Sequence, residues 1–120
     1  MTGSWPTELK VSKDRRCLGV TFDDGFSANL SAEMLRVLSP SAEVQGHGPG
    51  QKVTVPGKRH VAIISMTPTG NYAVRIGFDD GHDTGIFTWA YLRELGESGS
   101  EKFADYEAEL AAKGLSRNPR

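Results

Sequence analysis

VTFDDGFSANLSAEMLR at residues 20–36 and IGFDDGHDTGIFTWAYLR at residues 76–93 carry one plan twice. In each, an apolar run ends in an aromatic residue (Phe22, Phe78) and Asp-Asp-Gly follows. An extended stretch then returns, and Ser31 or Thr88 precedes a run that reaches Leu-Arg. Asp and Gly supply turn chemistry because both tolerate positive φ. A hydroxyl residue ahead of an apolar run is a helix N-cap signal. The repeated unit therefore reads as strand, tight turn, strand, capped helix. An apolar residue stands five positions after each glycine (Leu30, Ile86), and the copies differ chiefly at His82-Asp83. A turn used twice is weaker evidence of chemistry than one used once.

Working outward, LKV at 9–11 and CLGVTF at 17–22 have strand character and are separated by the charged turn SKDRR, which places Cys17 in the core. HVAIISM at 60–66, opening on His60, and YAVRIGF at 72–78 form a second pair around the turn PTGN at 68–71. Glu33 suits the first turn of the helix capped by Ser31, and Pro40 limits its extension. The Gly- and Pro-rich stretch 40–60 reads as a long loop with one short extended piece near VTV. SEKFADYEAELAAKGL at 100–115 sets Phe103, Tyr106 and Leu110 on one helical face. Gly114 fits the left-handed C′ position there, and Leu115 its hydrophobic contact. The expected fold is α+β: a small, mostly antiparallel sheet, two short helices and a C-terminal amphipathic helix. It forms one domain over 1–115, followed by a flexible tail over 116–120. The expected core comprises Phe22, Leu30, Leu35, Ile63, Tyr72, Ile76, Phe78, Ile86, Trp89 and Leu92, with Trp89 largely buried.

A chain of 120 residues with 38% hydrophobic content supports one modest core. The net charge is −1 and the basic residues are scattered apart from Arg15 and Arg16, so no stripe tracks a phosphate backbone and nucleic acid is not an expected partner. The sequence has no long apolar run, and MTGSWPTELKVSK has no signal-peptide core. A soluble cytoplasmic protein without a membrane partner is expected. Cys17 stands alone, which excludes an internal disulfide and a zinc site made of several of this chain's thiolates.

Two readings of FDDGHDTG stay open. In one, Asp79, Asp80 and Asp83 bond turn amides and His82 donates to a neighbouring carbonyl. In the other, the three aspartates, joined by His82, hold a hard cation. GHGPGQ at 46–51 likewise reads as a surface loop, or as the carrier of His47 in a polar site with Glu43, His82 and His60. There is no nucleophile elbow and no phosphate-binding GxxxxGK.

TFDDG, MLRVLSPSAEVQGHGPGQ, GNYAVRIGFDDGHDTGIFTW and YLRELG together make the chain resemble the gamma-butyrobetaine hydroxylase-like N-terminal domain family over roughly positions 5–115. The resemblance implies a small α+β module that stands alone in many bacteria. It also precedes the iron- and 2-oxoglutarate-dependent oxygenase domain of carnitine-biosynthesis hydroxylases, and a related module is appended to iron–sulfur carrier ATPases. Hydroxylase activity belongs to the oxygenase domain and is not carried over. The hydroxylase branch binds zinc through Cys-Pro-Cys, a third cysteine three positions on and a distant histidine. These positions read Ser39, Ser41, Val44 and His82 here, so three thiolates are gone and the zinc site is degenerate. The resemblance implies a noncatalytic binding or assembly module with an unknown protein partner, tied to oxygenase or iron–sulfur machinery, and no expected cofactor. The alternative is a metal-binding regulator or metal-dependent enzyme holding zinc or iron through Glu43, His47, His60, His82 and Asp80.

Overall fold

The structure is a computed structural model that describes residues 5–46 and 52–119. Two antiparallel three-stranded meanders follow one another in the chain, each succeeded by a helix. The first comprises β1 (Pro6–Val11), β2 (Cys17–Phe22) and β3 (Ser27–Ser31), and leads into α1 (Ala32–Val37) and the single-turn α2 (Ala42–Gln45). The second comprises β4 (Ile63–Thr69), β5 (Ala73–Phe78) and β6 (Gly85–Thr88), and leads into α3 (Trp89–Ala112).

The repeat is structural as well as sequential. At each Asp-Asp-Gly the aromatic amide donates across the turn (Phe22 to the Phe26 carbonyl, Phe78 to the His82 carbonyl), and the glycine takes positive φ, 90° at Gly25 and 92° at Gly81. The first aspartate of each turn ties back to the chain just before its sheet. Asp23 exchanges bonds with Trp5, and Asp79 does so with Ala62. The second caps the turn, Asp24 accepting from the Phe26 amide and Asp80 from the His82 amide. Ser31 and Thr88 then cap their helices by accepting from the Met34 and Tyr91 amides.

The copies differ by one residue between turn and cap, and this corrects the expected core. β2 and β3 pair Leu18 with Leu30, and β5 and β6 pair Val74 with Phe87. Counted back from the caps, Leu30 therefore corresponds to Phe87 and not to Ile86. Because side chains alternate along a strand, a one-residue insertion turns the neighbour outward. Phe87 is fully buried and Ile86 is 43% exposed. Tyr72 is also outside the core, 59% exposed, because it sits in the turn beyond the last strand pair at Ala73. Trp89 is only half-buried, its indole N–H donating to the Asn71 carbonyl. Cys17 is half-exposed, since Leu18, Val20 and Phe22 take the inward positions of β2. Phe22, Leu30, Leu35, Ile63, Ile76, Phe78 and Leu92 are buried as expected, in one cluster with Phe87, Leu95, Tyr106 and Leu110.

The second capped helix and the C-terminal helix are one continuous element, α3, which packs on β3, β6 and α1. Its end follows expectation: Gly114 has φ 67°, and the Leu115 amide reaches the Leu110 carbonyl. Stretch 40–60 contains α2, which was not expected. VTV forms no strand, although Val53 donates to the Val44 carbonyl and Thr54 to Glu109. His60 is exposed and lies before β4 rather than within it. Residues 116–119 lie against the 57–59 turn, with Gly57 and Arg59 amides donating to the carbonyls of Ser116 and Arg117, while the Arg117 guanidinium clasps Glu33 at 2.7 Å through both Nε and Nη2.

Candidate functional site

The insertion that turns Phe87 inward falls between His82 and Gly85. It follows a turn that matches its counterpart and precedes Ile76–Gly85, the equivalent of Val20–Ala28. This places Thr84 opposite the segment that carries Ser39, Ser41 and Glu43. Gly85 lets the two approach: a Cβ there would lie 2.4 Å from Ser39 Oγ. The residues at the degenerate zinc positions are thus brought together. His82 Nε2 is 3.0 Å from Ser39 Oγ, and Ser39 Oγ accepts from the Ser41 amide at 3.2 Å. Ser41 Oγ caps α2 by accepting from the Glu43 amide and lies 2.8 Å from Thr84 Oγ1, which donates to Glu43 Oε1. The same Glu43 oxygen is 3.6 Å from His82 Nδ1, and Gln45 Nε2 donates to the Ser39 carbonyl. Val44 is buried and offers no donor atom.

Ser39, His82 and Glu43 are the residue types of a nucleophile, base and acid in line, but the arrangement lacks access. Ser39 is fully buried and His82 is 5% exposed, so no substrate carbonyl can reach the hydroxyl. Burial lowers the His82 pKa below the ordinary imidazole value and the Arg36 charge adds to this, against opposing effects of Glu43, Asp80 and Asp83. Its ring packs at a tilt against Phe78, with centroids 6.1 Å apart, as Phe26 does against Phe22 at 6.0 Å in the first unit. His82 therefore occupies the place of a packed aromatic.

Two of the three aspartates, Asp79 and Asp80, are occupied by other partners. Asp79 accepts from the Ala62 amide. Asp80 Oδ2 lies 2.7 Å from Arg36 Nε and 2.6 Å from Lys58 Nζ. Burial opposes its ionisation, but Lys58, the His82 amide and Arg36 outweigh that and hold its pKa near 2. Asp83 is exposed. His60 lines a separate 220 Å³ hollow with Lys58, Asp79 and Asp80, away from Ser39 and Ser41. His47 lies outside the described residues. Among the described residues, no three His, Cys, Asp or Glu side chains converge as a metal cluster. The four family positions do not fit zinc: two hydroxyls are committed to partners, one position is aliphatic, and among the described residues the one buried side-chain atom without a partner is Arg36 Nη1 rather than an atom of this set. Thr84, Arg36, Lys58 and Gln45 were not legible as site residues, because their roles arise from pairings across more than twenty positions or from a single-turn helix.

The chain matches the family described as gamma-butyrobetaine hydroxylase-like, N-terminal, over residues 9–93. It belongs to that family. Two similar proteins have NMR solution structures. One is 44% identical, with a TM-score of 0.85 over 99% of this chain and 94% of its own. The other is 46% identical, with a TM-score of 0.82 over 97% and 86%. A crystal structure from Acidithiobacillus ferrooxidans, a protein of unknown function in the DUF971 family, is 41% identical with a TM-score of 0.63 over 76% and 91%. No curated protein matches the chain. Membership of the gamma-butyrobetaine hydroxylase-like N-terminal family thus establishes the module. No helix among the described residues is long and apolar enough to cross a membrane.

Proposed function

We propose that this gamma-butyrobetaine hydroxylase-like N-terminal module is a noncatalytic binding or assembly unit acting in the cytoplasm on a protein partner. The observation that supports this reading is the burial of Ser39 and His82, 0% and 5% exposed, which closes off the line of hydroxyl, imidazole and carboxylate that they form with Glu43. Groups sealed in this way organise a fold and leave recognition to the surface, where Ile64, Tyr72 and Ile86 stand out. Oxygenase or iron–sulfur machinery is the class of partner implied by family resemblance, an analogy at the level of fold.

A photoreactive amino acid placed singly at Tyr72, Ile86, Glu107 and Ala111 in the producing cell tests the reading. A binding module gives a discrete adduct, the same protein each time, from one face only. Adducts from all four positions, or from none, remove the proposal.

A further inference from the structure

The geometry of the polar cluster at the degenerate zinc positions favours one set of protons. The Glu43 carboxylate can only accept, so Thr84 Oγ1 donates to it, and Thr84 then accepts from the Ser41 hydroxyl, whose oxygen takes the Glu43 amide proton. His82 Nδ1 faces the same carboxylate oxygen at 3.6 Å, which favours a proton on Nδ1 and leaves Nε2 bare. Ser39 Oγ already accepts from the Ser41 amide, so its own proton is free to be given to Nε2 at 3.0 Å.

We propose that the Ser39 hydroxyl proton stands where a cation would sit: it occupies the Nε2 lone pair of His82, and with Ser41, Thr84 and Glu43 forms a metal-free lock that fastens α2 to the β5–β6 turn. A structural zinc site ties distant segments together through its ligands. Here Ser39 and Ser41 bond directly to residues 43 positions away, His82 and Thr84. The buried members Ser39, Ser41 and His82 all have partners, so their burial is stabilising rather than costly, while Glu43 and Thr84 close the lock at the surface. Gly85 belongs to the lock because a Cβ would displace the Ser39 hydroxyl. A metal would have to break the hydrogen bond from the Ser39 hydroxyl to the Nε2 lone pair and would find no thiolate beside it.

Long-range proton–nitrogen NMR of the imidazoles at pH 7.5 tests the assignment, recorded with chelator and with one equivalent of zinc. The expected spectrum shows His82 as a single tautomer, protonated at Nδ1 and bare at Nε2, identical in both conditions, with Tm unchanged. A proton on Nε2, a tautomer mixture, or a zinc-induced shift of His82 overturns the proposal. Ser39→Ala should lose the single-tautomer signature and lower Tm by roughly 3–6 °C. Thr84→Val, which leaves the Ser39–His82 bond in place, should lower Tm while keeping the tautomer. If Ser39→Ala does not fold, the Thr84→Val spectrum still decides the matter, since an altered tautomer there contradicts the assignment.

Discussion

Asp80 and its counterpart Asp24 have the same local task, yet their surroundings give them different weight. Asp24 is nearly half-exposed, whereas Asp80 has 16% side-chain exposure and receives two cations. Folding favours ionised Asp80, so its contribution is present above the ordinary carboxylate value of 3.8 and is lost as pH falls toward about 2. Asp80→Asn should therefore cost about 1–2 kcal/mol at pH 7, discounted for partial exposure, and much less near pH 2.5. Equal costs at both pH values in urea unfolding would contradict the ion-pair account. His82 adds an earlier step of the same sign. Its lowered pKa means that the unfolded chain takes up the proton first, so stability declines as pH drops below the ordinary 6.5. Phe87 and Trp89 provide a second contrast. Phe87→Ala should cost about 3–5 kcal/mol and Trp89→Ala distinctly less, in chemical denaturation, because only Phe87 is fully buried. The reversal of the expected ranking has a plain cause. Turn and cap chemistry at Asp80, Gly81 and Thr88 is legible residue by residue, whereas the facing of Ile86 and Phe87 depends on one inserted residue whose location only strand pairing reveals.

Helix α3 shows how an element can be read correctly in its parts and wrongly in its joint. Gly96 and Gly99 break the propensity of residues 89–112 at the point where a boundary was expected, as glycine costs about 1 kcal/mol relative to alanine in a helix interior. Both instead mark close approach. A Cβ on Gly96 would lie 2.9 Å from Phe26 Cε2, and one on Gly99 would lie 2.8 Å from Met34 Sδ. Phe26 is held between Phe22 and the Arg93 guanidinium, 4.2 Å from its ring, so it cannot yield easily, while the Met34 thioether can. Gly96→Ala should therefore destabilise by about 1–3 kcal/mol despite better helix propensity, and Gly99→Ala should be near neutral. Thermal unfolding of both variants checks this, and a stabilised Gly96→Ala would contradict the packing explanation. The same limit hid α2: four residues are too few for a periodic signal, and its Ser41 cap is recognisable only once the helix is seen.

At the scale of the molecule, the two units are joined by an exchange of the same contact. Arg36, from the helix of the first unit, bonds Asp80 in the second unit's turn at 2.7 Å. Arg93, from the helix of the second, bonds Asp24 in the first unit's turn at 2.9 Å. The Leu-Arg pairs that close the two sequence copies are therefore reciprocal clasps, a role that repetition hinted at but could not specify, since the partner lies in the other copy. Each hairpin is held by the other unit's helix, and the buried cluster draws Leu18, Val20 and Phe22 from one unit together with Val74, Ile76 and Phe78 from the other. Neither unit has a core of its own, so the chain should unfold in one step. Arg36→Ala, which breaks the less exposed pair, should cost about 2–3 kcal/mol, and Arg93→Ala about 1–2 kcal/mol from a more exposed pair together with its stacking on Phe26. Because the clasps are reciprocal, Arg93→Ala should raise amide exchange in β5 and β6 as well as in β2 and β3. Exchange that rises in the first hairpin alone would show two independently stable units and refute the shared core as the source of cooperativity.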